Sequence, residues 1–113
     1  MTAVSDRYRE CFLHVDAADP AAVLTALAER FAVTPDRRSL ALPGIELDVL
    51  GNGDTSAADF VGWPTKVDVY AAGATDAEVV TFVTDLMTVL RASGHRVVAA
   101  CDFEDELPQT DLA

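Results

Sequence analysis

A chain of 113 residues, half of them apolar, is long enough to build one hydrophobic core and too short for two domains of ordinary size. With 19 acidic residues against 8 basic ones, its formal net charge of -11 opposes contact with phosphate backbones or anionic lipid. The excess of acid suits either a cationic protein partner or general solubility. No apolar stretch approaches the roughly 20 residues needed to cross a bilayer, no basic-plus-apolar leader opens the chain, and no Pro/Gly/Ser-rich linker divides it. The expectation is therefore one cytoplasmic domain over 1–113.

In chain order, YRECFLHVDA (8–17) alternates imperfectly and carries Cys11, Phe12, Leu13 and Val15, as a strand with unequally buried faces does. DPAAVLTALAERF follows, with Asp19 placed to cap a helix and Pro20 at its first position, where a missing N–H costs nothing. Val23 or Leu24, Leu27, Ala28 and Phe31 recur at helical spacing. A Pro-Gly turn signal then precedes IELDVL (45–50), where Ile45, Leu47 and Val49 alternate with Glu46, Asp48 and Leu50. Residues 38–42 are either the bulged beginning of that strand or a short strand of their own. After the long connection GNGDTSAADFVGWP comes KVDVYAA (66–72), with Val67 and Val69 on one face and Lys66, Asp68 and Tyr70 on the other.

TDAEVVTFVTDLMTVLRASG carries the strongest helical pattern. Thr75 or Asp76 caps it, Val79, Phe82, Val83, Leu86, Met87 and Leu90 form the buried stripe, and Gly94 suits a left-handed end. HRVVAACDF (95–103) supplies a last, nearly continuous apolar strand. Strand, helix, strand, strand, helix, strand predicts an α+β, ferredoxin-like split βαβ sandwich, with two helices on one face of a four-stranded antiparallel sheet. The uncovered sheet face is the first place to look for a partner.

The terminal CDFEDELP places Asp102, Glu104, Asp105 and Glu106 within five residues, with Phe103 and Leu107 among them. A calcium loop needs a longer wrapping arc with a tight-turn glycine, so a docking surface is the stronger reading: Phe103 and Leu107 as apolar anchors, the carboxylates steering encounter. A solvated end is the plainer alternative. Trp63, held out of helix by Pro64, is either a core residue or an aromatic anchor beside that acidic end. His14, His95, Asp16, Cys101 and Asp102 lack the convergent spacing of a zinc site, and no serine elbow accompanies the histidines. GNGD (51–54) lacks the lysine and following helix of a phosphate loop. Arg37 and Arg38 are too few for a nucleic-acid footprint, and Tyr70 alone makes no base-stacking platform. Cys11 and Cys101, each in an expected strand, are expected to be buried free thiols, although a disulfide is open to them if those strands pair.

DFVGWPTKVDVY, the helix ending RASGHRVVAA, and CDFEDELP together resemble a group of small acidic actinobacterial proteins of unassigned or polymorphic-toxin immunity type. The resemblance covers most of the chain. It implies a protein that neutralises a cognate toxin, with Trp63, Pro64, Asp102, Phe103, Glu104, Asp105, Glu106 and Leu107 in the matching segments and no catalytic role carried over. The expectation is thus a non-catalytic module binding a basic protein, without cofactor or metal and without affinity for nucleic acid or membrane. An enzyme using His14, Asp16 or Cys101 on the open sheet face and a homodimer are the alternatives.

Overall fold

The computed structural model describes residues 4–109. It is an α+β fold in which β1 (Glu10–Val15), α1 (Pro20–Phe31), β2 (Ser39–Leu42), β3 (Ile45–Gly51), β4 (Thr65–Ala71), α2 (Asp76–Ala92) and β5 (Val97–Ala100) follow one another. All strands join one antiparallel sheet in the order β2-β3-β4-β1-β5. The expected four strands become five because residues 39–42 form a separate strand rather than the bulged start of β3. Pro43 and Gly44 turn the chain so that Leu42 faces Ile45 across a hairpin. Gly44 has φ +72°, and a Cβ there would lie 2.7 Å from the carbonyl carbon of Gly73, so both the turn and its close neighbour demand glycine.

The helices begin where their caps predict. The Asp19 carboxylate accepts from the Ala21 N–H, and Pro20 occupies the first turn. At α2 the Thr75 hydroxyl accepts from Glu78 N–H while the Glu78 carboxylate accepts from Thr75 N–H, a reciprocal capping box. The chain leaves α2 through Gly94 at φ +90°. Among the described residues no helix is long and apolar enough to cross a membrane.

Strand alternation divides the sheet into two unlike faces. Cys11, Leu13 and Val15 of β1, Leu40 of β2, Ile45, Leu47 and Val49 of β3, Val67 and Val69 of β4, and Val97 and Ala99 of β5 are all buried. They join Val23 and Leu27 of α1 and Val79, Val83, Leu86, Met87 and Leu90 of α2 in one core. Each such side chain withdrawn from water contributes about 1.5–3 kcal/mol before the entropy of ordering is set against it, which makes this face the source of stability. The opposite face carries Glu10, Phe12, His14, Glu46, Asp48, Leu50, Lys66, Asp68 and Tyr70; neither α-helix packs on it, and Phe60 of the connection meets it at His14.

The end of the chain wraps around β5. Instead of extending the last strand to residue 103, the backbone turns after Ala100 and forms a short 3-10 helix over Glu104–Glu106. The Gln109 side-chain amide completes the pairing of the strand edge: its oxygen accepts from Ala99 N–H at 3.0 Å, and its NH2 donates to Ala99 C=O at 2.6 Å. A side chain thereby serves one residue of β5 as a neighbouring strand would.

Candidate functional site

The register across the middle of the sheet brings the open-face side chains into rows. Glu46 of β3 faces Tyr70 of β4, which faces Glu10 of β1. One row along, Asp48 faces Asp68, which faces Phe12; in the next, Leu50 faces Lys66, which faces His14. Acidic side chains thus recur across three strands, and Lys66 is the cation that the strands place among them. Two carboxylates directly opposite each other on neighbouring strands repel, so the Asp48–Asp68 pair is a local cost to the sheet.

The surroundings of these groups sharpen that cost. Asp48 accepts a hydrogen bond from the Ser39 hydroxyl of β2. Asp68 is only 9% exposed, and its Oδ1 has no hydrogen-bond partner. Burial lifts the Asp68 carboxyl above its ordinary range; Lys66 opposes that shift and Asp48 adds to it. Burial also raises the neighbouring Tyr70 hydroxyl, with Asp68, Asp48 and Glu10 acting in the same direction. Tyr70 is nevertheless one of the more exposed large side chains, at 37%. It offers an apolar ring with a polar tip among the carboxylates.

His14 lies toward the end of the face that the long connection approaches. Its ring meets Phe60 edge-on at 5.2 Å, and Phe60 in turn meets Trp63 at 6.4 Å. Burial, reinforced by Lys66, holds the imidazole below its usual value despite the opposing pull of Asp68 and Asp59, and its Nδ1 has no partner. The connection itself is knitted down: Asn52 Nδ2 donates to the carbonyls of Val61 and Trp63, and Asp59 caps the 3-10 turn Phe60–Gly62. Gly62 is required there, since a Cβ would fall 2.1 Å from the Ala57 oxygen. Trp63 is half-buried, with the Arg96 guanidinium 4.7 Å over its ring and Asp16 paired to that guanidinium at 2.7 Å.

The terminal acidic segment differs from its expected form. Phe103 is fully buried, its ring 5.1 Å from that of Tyr8, and Leu107 is 8% exposed. Neither is available as an exposed anchor, because the 3-10 turn directs both inward and leaves the carboxylates outside. Arg7 engages Asp105 at 2.9 Å and Glu106 at 3.4 Å, while the Tyr8 hydroxyl donates to Glu106 at 2.7 Å. Two of the four acids are thus committed within the chain, and Asp102 and Glu104 stand exposed beside them. The ring contacts of Trp63 are with Phe60 and Arg96. Phe60 lines a cavity of about 450 Å3 with Val98, Glu104, Asp105, Leu107 and Gln109, joining the connection to the acidic end along β5.

The alternative reactive residues are dispersed. His14 belongs to the open face, Asp16 is held by Arg96, and the Cys101 sulfur lies 3.0 Å from that of Cys11, whose side chain faces the helices. Among the described residues no group of three or more His, Cys, Asp or Glu side chains is placed to hold a metal ion. No family model, curated protein or solved structure matches this chain.

Sequence reasoning pointed to the uncovered face but not to the side chains that matter on it. Periodicity assigned Glu46, Asp48, Lys66, Asp68 and Tyr70 to faces strand by strand. What it lacked was the register that sets Asp48 against Asp68, a property of chain pairing rather than of local pattern.

Proposed function

We propose that this protein is a non-catalytic binding module that engages a basic protein partner through the open sheet face. The stoichiometric inhibition of a cationic cleft, as in a toxin–immunity pair, is the form of activity it suits. The observation that carries this reading is the directly opposed Asp48 and Asp68, with Glu46, Glu10 and Tyr70 beside them, on a sheet face that neither α-helix covers. Lysine or arginine side chains from a partner, set beside Glu10, Glu46 and Asp48, would relieve the repulsion. Tyr70 would contribute the aromatic contact typical of interface centres. Asp102 and Glu104, at the β5 end, extend the same negative field.

The strand order supports a finer reading of the fold as ferredoxin-like. Leaving aside β2, the sheet runs β5-β1-β4-β3, the order expected when two split βαβ units interlock, and β2 is an added edge strand.

The test is affinity isolation from the native cell at low and high salt with the wild-type chain, followed by calorimetry on the purified pair with Glu10→Lys/Glu46→Lys. A one-to-one partner whose binding weakens at least about tenfold on reversal, and which also weakens with salt, supports the reading. A partner bound equally well by both proteins removes the sheet face from consideration. Turnover of a metabolite without a protein partner would replace the reading with an enzymatic one.

A further inference from the structure

The two cysteines have no role in the reading above, yet the fold brings their side chains into contact. Cys11 lies on β1 facing the helices, only 1% exposed. Cys101 follows β5 directly, one position beyond the ladder pair Phe12–Ala100, so extending the register sets it opposite Cys11. Their sulfurs are 3.0 Å apart, with Cys11 S–H directed at Cys101 Sγ. Both are free thiols. Cys101 also lines a surface cavity of about 360 Å3, where Arg7 and Arg9 stand among the carboxylates of Asp6, Glu10 and Asp102. One sulfur therefore borders a solvent-facing cavity of mixed charge, while the other waits behind it in the core.

We propose that Cys11 and Cys101 form a peroxide-oxidisable dithiol, in which Cys101 is the attacking sulfur, Cys11 the resolving sulfur, and hydroperoxide entering the cavity the oxidant. Exposure assigns the order, and electrostatics agrees with it. Donation from Cys11, assisted by the Phe103 N–H, favours the thiolate at Cys101 against the opposing effects of burial, Glu104 and Asp102. Cys11 is correspondingly pushed up, by its bond to Cys101 and then by burial, so it keeps its proton.

In the first step the Cys101 thiolate attacks one oxygen of hydrogen peroxide. The O–O bond breaks, a sulfenic acid forms, and the departing hydroxide takes a proton to become water. In the second, Cys11 sulfur attacks the sulfenic sulfur and the S–O bond breaks. The leaving hydroxide collects the Cys11 proton as a second water. Two thiols and one peroxide become one disulfide and two waters, with the sulfurs oxidised and the peroxide oxygens reduced.

The product would rivet the terminal segment to β1. That segment carries the buried Phe103, the Arg7 partners Asp105 and Glu106, and the Gln109 clasp on β5. Oxidation is therefore expected to raise Tm, by roughly 10 °C for a ring that closes most of the chain.

The reduced full-length protein treated with a small excess of hydrogen peroxide should lose the mass of two hydrogen atoms while remaining monomeric on a non-reducing gel. A peptide map should join Cys11 to Cys101, and Tm should rise until a thiol reductant reverses both changes. In Cys11→Ser, Cys101 should halt as a sulfenic acid trapped by a cyclic 1,3-dione. In Cys101→Ser, Cys11 should resist peroxide until the chain is unfolded. The wild-type measurement stands even if a variant does not fold. An unchanged wild-type mass, a persistent gain of oxygen, or a disulfide-linked dimer would each overturn the proposal.

Discussion

The two faces of this sheet are made from the same strands, residue by residue in alternation, yet they follow opposite rules. On the helix side, Leu13, Leu47 and Val67 are wholly buried in the apolar core. On the open side the next residues along, His14, Asp48 and Asp68, include buried polar atoms without partners and carboxylates in opposition. A sheet that repels itself on one face is tolerable because the other face supplies the stability. The cost of these polar groups is borne by the apolar core on the other side of the same strands.

The contrast is broken most directly by comparing adjacent residues of β3. Leu47→Ala should destabilise by about 3 kcal/mol, since it opens a cavity in the core, whereas Glu46→Ala should change stability by less than about 0.5 kcal/mol. Urea denaturation at neutral pH measures both; equal losses would mean that the faces are not energetically distinct.

Next in size is Asp68→Asn, expected to stabilise the isolated protein by about 1 kcal/mol at neutral pH by removing a charge opposed to Asp48. The sign follows from the raised carboxyl. Any stability linked to proton uptake at Asp68 is fully present below the unfolded value of about 3.9 and is lost as pH rises through the higher folded value. The asparagine variant should therefore gain most over wild type at neutral pH and lose that advantage in acid. A gain that does not change with pH would assign the effect to packing instead. If the open face is the binding surface, the same substitution should weaken the partner complex while strengthening the free protein.

Arg7→Ala should have the smallest effect. The ion pairs it makes with Asp105 and Glu106 are exposed and open to screening, so thermal melts should show only a slight loss at low salt, fading at high salt. A large loss would reveal that Arg7 holds the terminal segment in place.

The contrast also explains what could be read before the fold was known. Capping at Asp19 and Thr75, the helical stripe from Val79 to Leu90 and the alternation of IELDVL are local patterns, and they place both helices and β3. The separate β2 was one of two open readings because four residues carry too little periodicity to decide. The acidic end misled for a physical reason. An apolar residue among charges reads equally well as an exposed anchor or as a plug, and only the turn after Ala100 sends Phe103 inward toward Tyr8. Opposition of Asp48 to Asp68, and of Cys11 to Cys101, depends on contacts between distant strands that no local window contains.

Trp63 is the chain's single tryptophan, and it stands at the rim of the open face beneath the Arg96 guanidinium rather than in the core. Its fluorescence is consequently a built-in optical reporter of one edge of the molecule. A ligand that displaces Arg96 or desolvates the indole will alter emission without any dye attached, whereas events confined to the helical layer will leave the signal nearly silent until the chain unravels.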